Sequence, residues 1–107
     1  KQGTVDFILE QTATAGHVSA RKMFGEYGVY CDGKLVALVC DDQLFLKPTK
    51  AGRAKLGDVR EAPPYPGAKP YLKIKSDLWE DTAWMGELIA MTAAELPLPK
   101  EKRAKSP

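Results

Sequence analysis

The sequence predicts an α+β fold, an antiparallel sheet carrying helices in the order α-β(4)-α-β(1–2)-α. Three observations lead there. Four short apolar strands follow one another between Val18 and Lys47 with very short connections, and a parallel crossover would need a dozen or more residues between neighbours. Asp32-Gly33 sits between two of those strands and is a strong two-residue hairpin signal, because glycine accepts the positive φ of a primed turn. Helical periodicity appears only before, between and after the groups of strands, which argues for α+β rather than α/β.

The first element is a helix. Thr4 is placed to cap it, Asp6 falls in its first turn, and Val5, Ile8, Leu9 and Thr12 form one stripe. Ala15-Gly16 is a stop, with glycine supplying the left-handed cap. Strands are expected at 18–24, 27–31, 35–40 and 44–47, the last after an Asp41-Asp42-Gln43 turn. The third strand, Leu-Val-Ala-Leu-Val-Cys, is apolar on both alternating faces and reads as central and covered on both sides.

Pro48-Thr49 opens a short helix from Lys50 to Leu56, ended by Gly57. Gly52 inside it costs ~1 kcal/mol against Ala. Val59 to Ala62 is a further short strand, followed by the stiff loop Pro63-Pro64-Tyr65-Pro66-Gly67. Tyr71 to Lys75 alternates, Leu72 and Ile74 facing one way and Tyr71, Lys73 and Lys75 the other. The last helix is expected to start at Asp77-Leu-Trp-Glu80 and run to Leu96, with Trp84, Met85, Leu88, Ile89 and Met91 on a broad apolar face. Pro97 and Pro99 terminate it. One domain, 1–99, is therefore expected, followed by a basic tail, 100–107, without fixed structure.

The chain has 107 residues, 44% apolar and 28% charged, close to an average globular composition. No apolar run approaches the ~18–20 residues of a membrane span. The start, Lys1-Gln2-Gly3-Thr4, lacks the layout of a signal peptide. Net charge is only +2, but its placement is uneven. Residues 47–75 carry eight bases and two acids, whereas 76–99 carry five acids and no base. Such halves can pair across the fold, or leave a basic surface open to an anionic partner.

The two cysteines are not expected to pair. The Asp32-Gly33 turn sets Cys31 across from Lys34 and Cys40 across from Gly25, about six residues apart or ~20 Å along the ribbon. A disulfide tolerates a Cα separation of ~7 Å at most. Free thiols point to a reducing, cytoplasmic setting. Two thiols and one distant histidine do not make a zinc site.

Arg21-Lys22-Met23-Phe24-Gly25, Tyr27-Gly28-Val29-Tyr30, Asp32-Gly33 and Leu44-Phe45-Leu46-Lys47 together resemble the signature of the TfoX/Sxy N-terminal domain family. Tyr71 and the Glu80-Asp81 helix start also match, and the resemblance spans roughly 18–96. It implies an antiparallel sheet with helices, similar to the type III secretion chaperone-like fold, and no catalytic residues. It also implies a regulatory or protein-binding role of the kind carried by competence and transcription regulators, with a protein partner such as the transcription machinery. Those regulators add a C-terminal helical domain, which this chain is expected to lack.

The residues themselves give little for catalysis. His17, the only histidine, lies between a helix end and a strand. Ser19 and Ser76 are not in a glycine-flanked nucleophile elbow, and no phosphate-binding loop or dinucleotide fingerprint is present. Asp41-Asp42 and Glu80-Asp81 fit turn and helix-start chemistry. No catalytic, cofactor or metal site is expected.

Binding features are richer. Arg21, Lys22, Phe24 and Tyr27 cluster around a glycine-bracketed bend, where they either fill the core or present aromatics to a partner. Tyr65 rides a proline-stiffened loop, and Tyr71, Lys73 and Lys75 put an aromatic beside two bases. These eight residues form the candidate interaction surface. A small basic nucleic-acid-binding accessory protein is the alternative reading, which Tyr71, Lys73 and Lys75 would serve. An apolar sheet face left uncovered by three modest helices, or the Trp79–Trp84 end of the last helix, would suit a homodimer or another protein.

Overall fold

A computed structural model describes residues 2–23 and 26–97. Six strands form one antiparallel sheet in the order β1-β2-β3-β4-β6-β5. They are β1 (Val18–Met23), β2 (Glu26–Cys31), β3 (Lys34–Cys40), β4 (Gln43–Leu46), β5 (Arg60–Ala62) and β6 (Tyr71–Ile74). Helices α1 (Gln2–Gln11), α2 (Lys50–Leu56) and α3 (Thr82–Glu95) complete the α+β architecture. The expected tail, the domain boundary at 99 and Phe24 lie outside the described residues.

Turn chemistry builds the meander. Asp32 and Gly33 both have positive φ, 52° and 84°, and so do Asp41 and Asp42, 53° and 58°. Two-residue hairpins of the primed type need this sign at both central positions. Aspartate tolerates it better than most side chains. Asp32 is further held by a bond from outside the turn, its carboxylate accepting from the His17 backbone N–H at 2.9 Å.

The two faces of the sheet differ. The inner face carries α1 and α3, and one continuous core joins Val5 and Ile8 of α1, Met85, Leu88 and Ile89 of α3, and Val29, Val39, Leu44, Leu46, Leu72 and Ile74 of the strands. A smaller cluster on the outer face consists of Leu38, Cys40 and Phe45, with Leu35, Ala62 and Tyr71 packed against it. β3 is thus central and buried on both sides, Val36 through Cys40 all lying below the surface.

A β-bulge sets the register of β3. Val29 pairs with Ala37 but Tyr30 pairs with Leu35, so Val36 has no partner on β2. Val36 and Ala37 consequently both join the main core, while Leu35 and Leu38 face outward. Without the extra residue, one half of the strand would present the wrong face. The bulge moves the expected pairing of Cys40 by one residue, so that Val39 faces Tyr27. Both cysteines are free and buried. They also lie in clusters on opposite faces of the sheet, Cys31 inner and Cys40 outer.

Two helix starts differ from expectation. α1 begins at Gln2, so Thr4 lies inside it and donates its hydroxyl to Asp42 Oδ1 at 3.0 Å instead of capping. Asp77 opens only a 3-10 turn, Ser76–Glu80, and α3 starts at Thr82, capped by Asp81 accepting from Trp84 N–H at 3.1 Å. Trp79 anchors the turn. Its indole N–H bonds Ile74 O at 3.2 Å, and its own carbonyl accepts from Gln11 Nε2 at 2.7 Å. These bonds tie the 3-10 turn to the end of β6 and to α1, and the chain re-enters a helix at Thr82.

Close packing holds α3 in place. A Cβ built on Gly86 would lie 2.2 Å from Thr14 Oγ1 in the 3-10 turn Ala13–Ala15 after α1. At its other end, Lys34 Nζ donates to Ala93 O at 2.8 Å, tying the start of β3 to the last turn of α3. A cation there also complements the carbonyl end of the helix.

Candidate interaction surface

The outer sheet face is built from alternate residues of every strand. One register row crosses it as Arg21, Gly28, Leu38, Phe45, Lys73 and Arg60. Its centre is closed, since Leu38, Cys40 and Phe45 are 8%, 4% and 5% exposed. The expectation of an open apolar sheet face is therefore corrected. Tyr71, Ala62 and Leu35 fold over the strip from its two sides, because this apolar surface is removed from water most cheaply by the chain's own neighbours.

Gly28 explains the β1–β2 side. A Cβ there would lie 2.7 Å from Met23 Sδ, 3.1 Å from Leu35 Cδ1 and 3.3 Å from Tyr30 Cε1. The missing side chain lets Tyr30 and Met23 lie across the strand, the Tyr30 hydroxyl 3.8 Å from the Met23 sulfur. Arg21 covers the Tyr30 ring at 5.8 Å, a cation–π distance.

The β5–β6 side is capped by the proline-rich loop. Pro64 is buried, and the Ala68 N–H bonds Tyr65 O at 3.1 Å, closing a turn in which Gly67 supplies a φ of 87°. Tyr65 is left 55% exposed, the most open large apolar side chain among the described residues; Phe7, at 38%, is the other. Below Tyr65 is a cavity of about 380 Å³ lined by Met23, Glu26, Tyr27, Cys40 and Tyr65. Burial pushes the Tyr71 hydroxyl pKa up, helped by Tyr65 and Cys40 nearby. Burial likewise raises that of the Cys40 thiol, with Glu26 adding to the effect. Both groups therefore remain protonated at neutral pH.

The eight expected surface residues divide into groups. Tyr71 and Lys73 lie on β6, Lys73 and Lys75 line one cavity, Tyr65 lines a separate one with Met23 and Glu26, and Arg21 lies on β1. Lys22 is exposed but pairs with Tyr27, which packs onto the main core from the inner face. Phe24 is outside the described residues. Sequence reasoning missed Arg60, directly opposite Lys73, together with Met23, Glu26 and Cys40 at the cavity. Only the short Val59–Ala62 strand signal could have pointed to Arg60, since the pairing of β5 with β6 was not legible.

No group of three or more His, Cys, Asp or Glu among the described residues could hold a metal ion. No described helix is long and apolar enough to cross a membrane.

Compared with known families, residues 10–96 match the TfoX N-terminal domain. The chain belongs to this family. An uncharacterized 12.7 kDa protein in the trpE 5′ region of Spirochaeta aurantia is 40% identical over 100 residues, covering 94% of this chain and 86% of that protein. Membership of the TfoX N-terminal domain family makes this a domain of the competence and regulatory type. Of the residues that carry the sequence resemblance, Arg21–Met23 lie in β1, Tyr27–Tyr30 in β2 and Leu44–Leu46 in β4, and Asp32-Gly33 forms the turn into β3.

Proposed function

We propose that this TfoX N-terminal domain is a non-catalytic regulatory module that holds a protein partner on the Tyr65–Tyr71 end of its outer sheet face. The observation that carries this reading is Tyr65. It is a large amphipathic ring, more than half exposed, on a loop stiffened by three prolines and seated over a cavity. Such a ring loses little conformational freedom on docking, and tyrosine is enriched among residues that dominate interface energy. Family membership supports a regulatory setting in the cytoplasm, and the transcription machinery is the partner class to examine first.

Affinity capture from native extract with the wild-type chain and with Tyr65→Ala tests the proposal. A partner retained by the wild type and lost with the variant, at unchanged thermal midpoint, supports it. The same proteins captured by both would overturn it.

The alternative, a nucleic-acid accessory protein, is favoured by one feature, the basic outer end of β5 and β6 beside Tyr71. A mobility shift with mixed DNA separates the two, because phosphate contacts weaken steeply between low and physiological salt.

A further inference from the structure

Arg60 and Lys73 are directly opposed across the β5–β6 pair, with Lys75 just past the end of β6, before the 3-10 turn Ser76–Glu80. Like charges directly opposite on a sheet are destabilising. None of the three forms an ion pair among the described residues, although the same basic segment satisfies Arg53 with Glu61 and Lys55 with Glu87. Folding therefore sets like charges against each other at one place while pairing them directly nearby.

That place is also concave. Arg60, Lys73 and Lys75 line a cavity of about 480 Å³ together with Asp58, Asp77 and an apolar wall of Leu56, Val59 and Leu78. The end of α2 and the 3-10 turn Ser76–Glu80 supply Leu56, Asp77 and Leu78. β5, the sheet's last strand, pairs only with β6 and lies beside the cavity with its outer edge unpaired by any described strand.

We infer that this cavity docks an extended acidic segment of a partner protein, with carboxylates on Arg60, Lys73 and Lys75 and an apolar side chain against Leu56, Val59 and Leu78. Two features favour a peptide over a nucleic-acid strand. The apolar wall suits a side chain between the charged ones, with Asp58 and Asp77 of the same lining placed to accept main-chain N–H groups. The unpaired edge of β5 can take a further strand by main-chain pairing. The inference rests on the reading of the chain as a protein-interaction module and specifies the partner's chemistry.

The test uses the full chain and a short fluorescein-labelled peptide of alternating Glu and Leu, read by anisotropy. A Gln/Leu peptide and an oligo-dT of equal charge are the comparison probes. Lys73→Glu is the variant; it places an opposite charge against Arg60, and its thermal midpoint is measured beside that of Lys73→Gln so that a loss of binding is not mistaken for a loss of fold. Binding of the Glu/Leu peptide by the wild type is expected, reduced on the order of tenfold by Lys73→Glu and weakened by salt. Equal binding to both proteins, equal binding of the Gln/Leu peptide, or tighter binding of oligo-dT would each overturn the inference. If the wild type fails to bind the Glu/Leu peptide yet Tyr65-dependent capture of a protein persists, the acidic docking site falls while the interaction module stands. Lys73-dependent peptide binding without Tyr65-dependent capture keeps this site and overturns the Tyr65 surface.

Discussion

Glu95, the last residue of α3, caps Lys50, the first residue of α2. Its carboxylate accepts from the Lys50 N–H at 2.8 Å and the Ala51 N–H at 3.0 Å, while Thr49 Oγ1 accepts from Gly52 N–H at 2.9 Å. Three of the four orphan donors of α2 are thereby satisfied, one locally and two by a residue more than forty positions away. α2 has no acidic residue in its own first turn, so α3 provides the negative charge that its N-terminus favours.

The two backbone bonds hold the Glu95 carboxyl below the usual carboxylate range. A depressed pKa means that folding favours the ionised form. The stabilisation is fully present above the unfolded value of ~4.3 and is lost as pH falls through the folded value. Glu95→Gln should lower the thermal midpoint at neutral pH, and the gap from wild type should close in acid. Thermal melts of both proteins from pH 7 to pH 3 check this.

Gly52 is a packing residue rather than a defect in α2. A Cβ there would lie 2.9 Å from the capping Thr49 Oγ1 and 3.2 Å from Leu46 Cδ2, which is fully buried. Ala offers ~1 kcal/mol of helix propensity, but overpacking a filled site costs ~1–3 kcal/mol. Gly52→Ala should therefore destabilise the protein in urea unfolding, against the direction that propensity alone gives.

The two clusters should respond differently to truncation. Leu46 is fully buried in the main core, whereas Leu38, 8% exposed, belongs to the smaller outer cluster. Both changes to Ala should fall within ~2–5 kcal/mol, with Leu46→Ala the larger because its surroundings cannot relax into a cavity. Denaturant melts of the two variants give the order directly.

Cys31 and Cys40 should resist alkylation in the native state. Both are buried, and burial is the main cause of raised pKa values for both thiols. Little thiolate exists at pH 8, and little of it is accessible. Mass spectrometry after iodoacetamide treatment should show slow labelling in buffer and rapid double labelling in denaturant.

Local chemistry was legible residue by residue. α2 occupies Lys50–Leu56 as its Thr49 and Gly57 limits require, and Leu72 and Ile74 turn inward from β6 as their period of two requires. The Asp32-Gly33 turn has both positive φ values that its sequence demands. Such features depend on a few neighbouring residues, so the chain states them directly. At the candidate surface this made the shared side of Tyr71 and Lys73 on β6 legible.

Tertiary structure decided what depends on distant partners. The insertion of β6 between β4 and β5 set Lys73 against Arg60 and shaped the basic cavity. The unpaired Val36 turned two successive β3 residues toward the helices, a departure that no period-two pattern encodes. Gln11 of α1 bonds the Trp79 carbonyl in the turn before α3, and Glu95 capped a helix far from it in sequence. The physical reason is common to all four. Hydrogen-bond and packing partners separated by many residues are chosen by which surfaces the folded chain brings together, whereas turns, periodicity and caps are fixed by the geometry of adjacent peptide units.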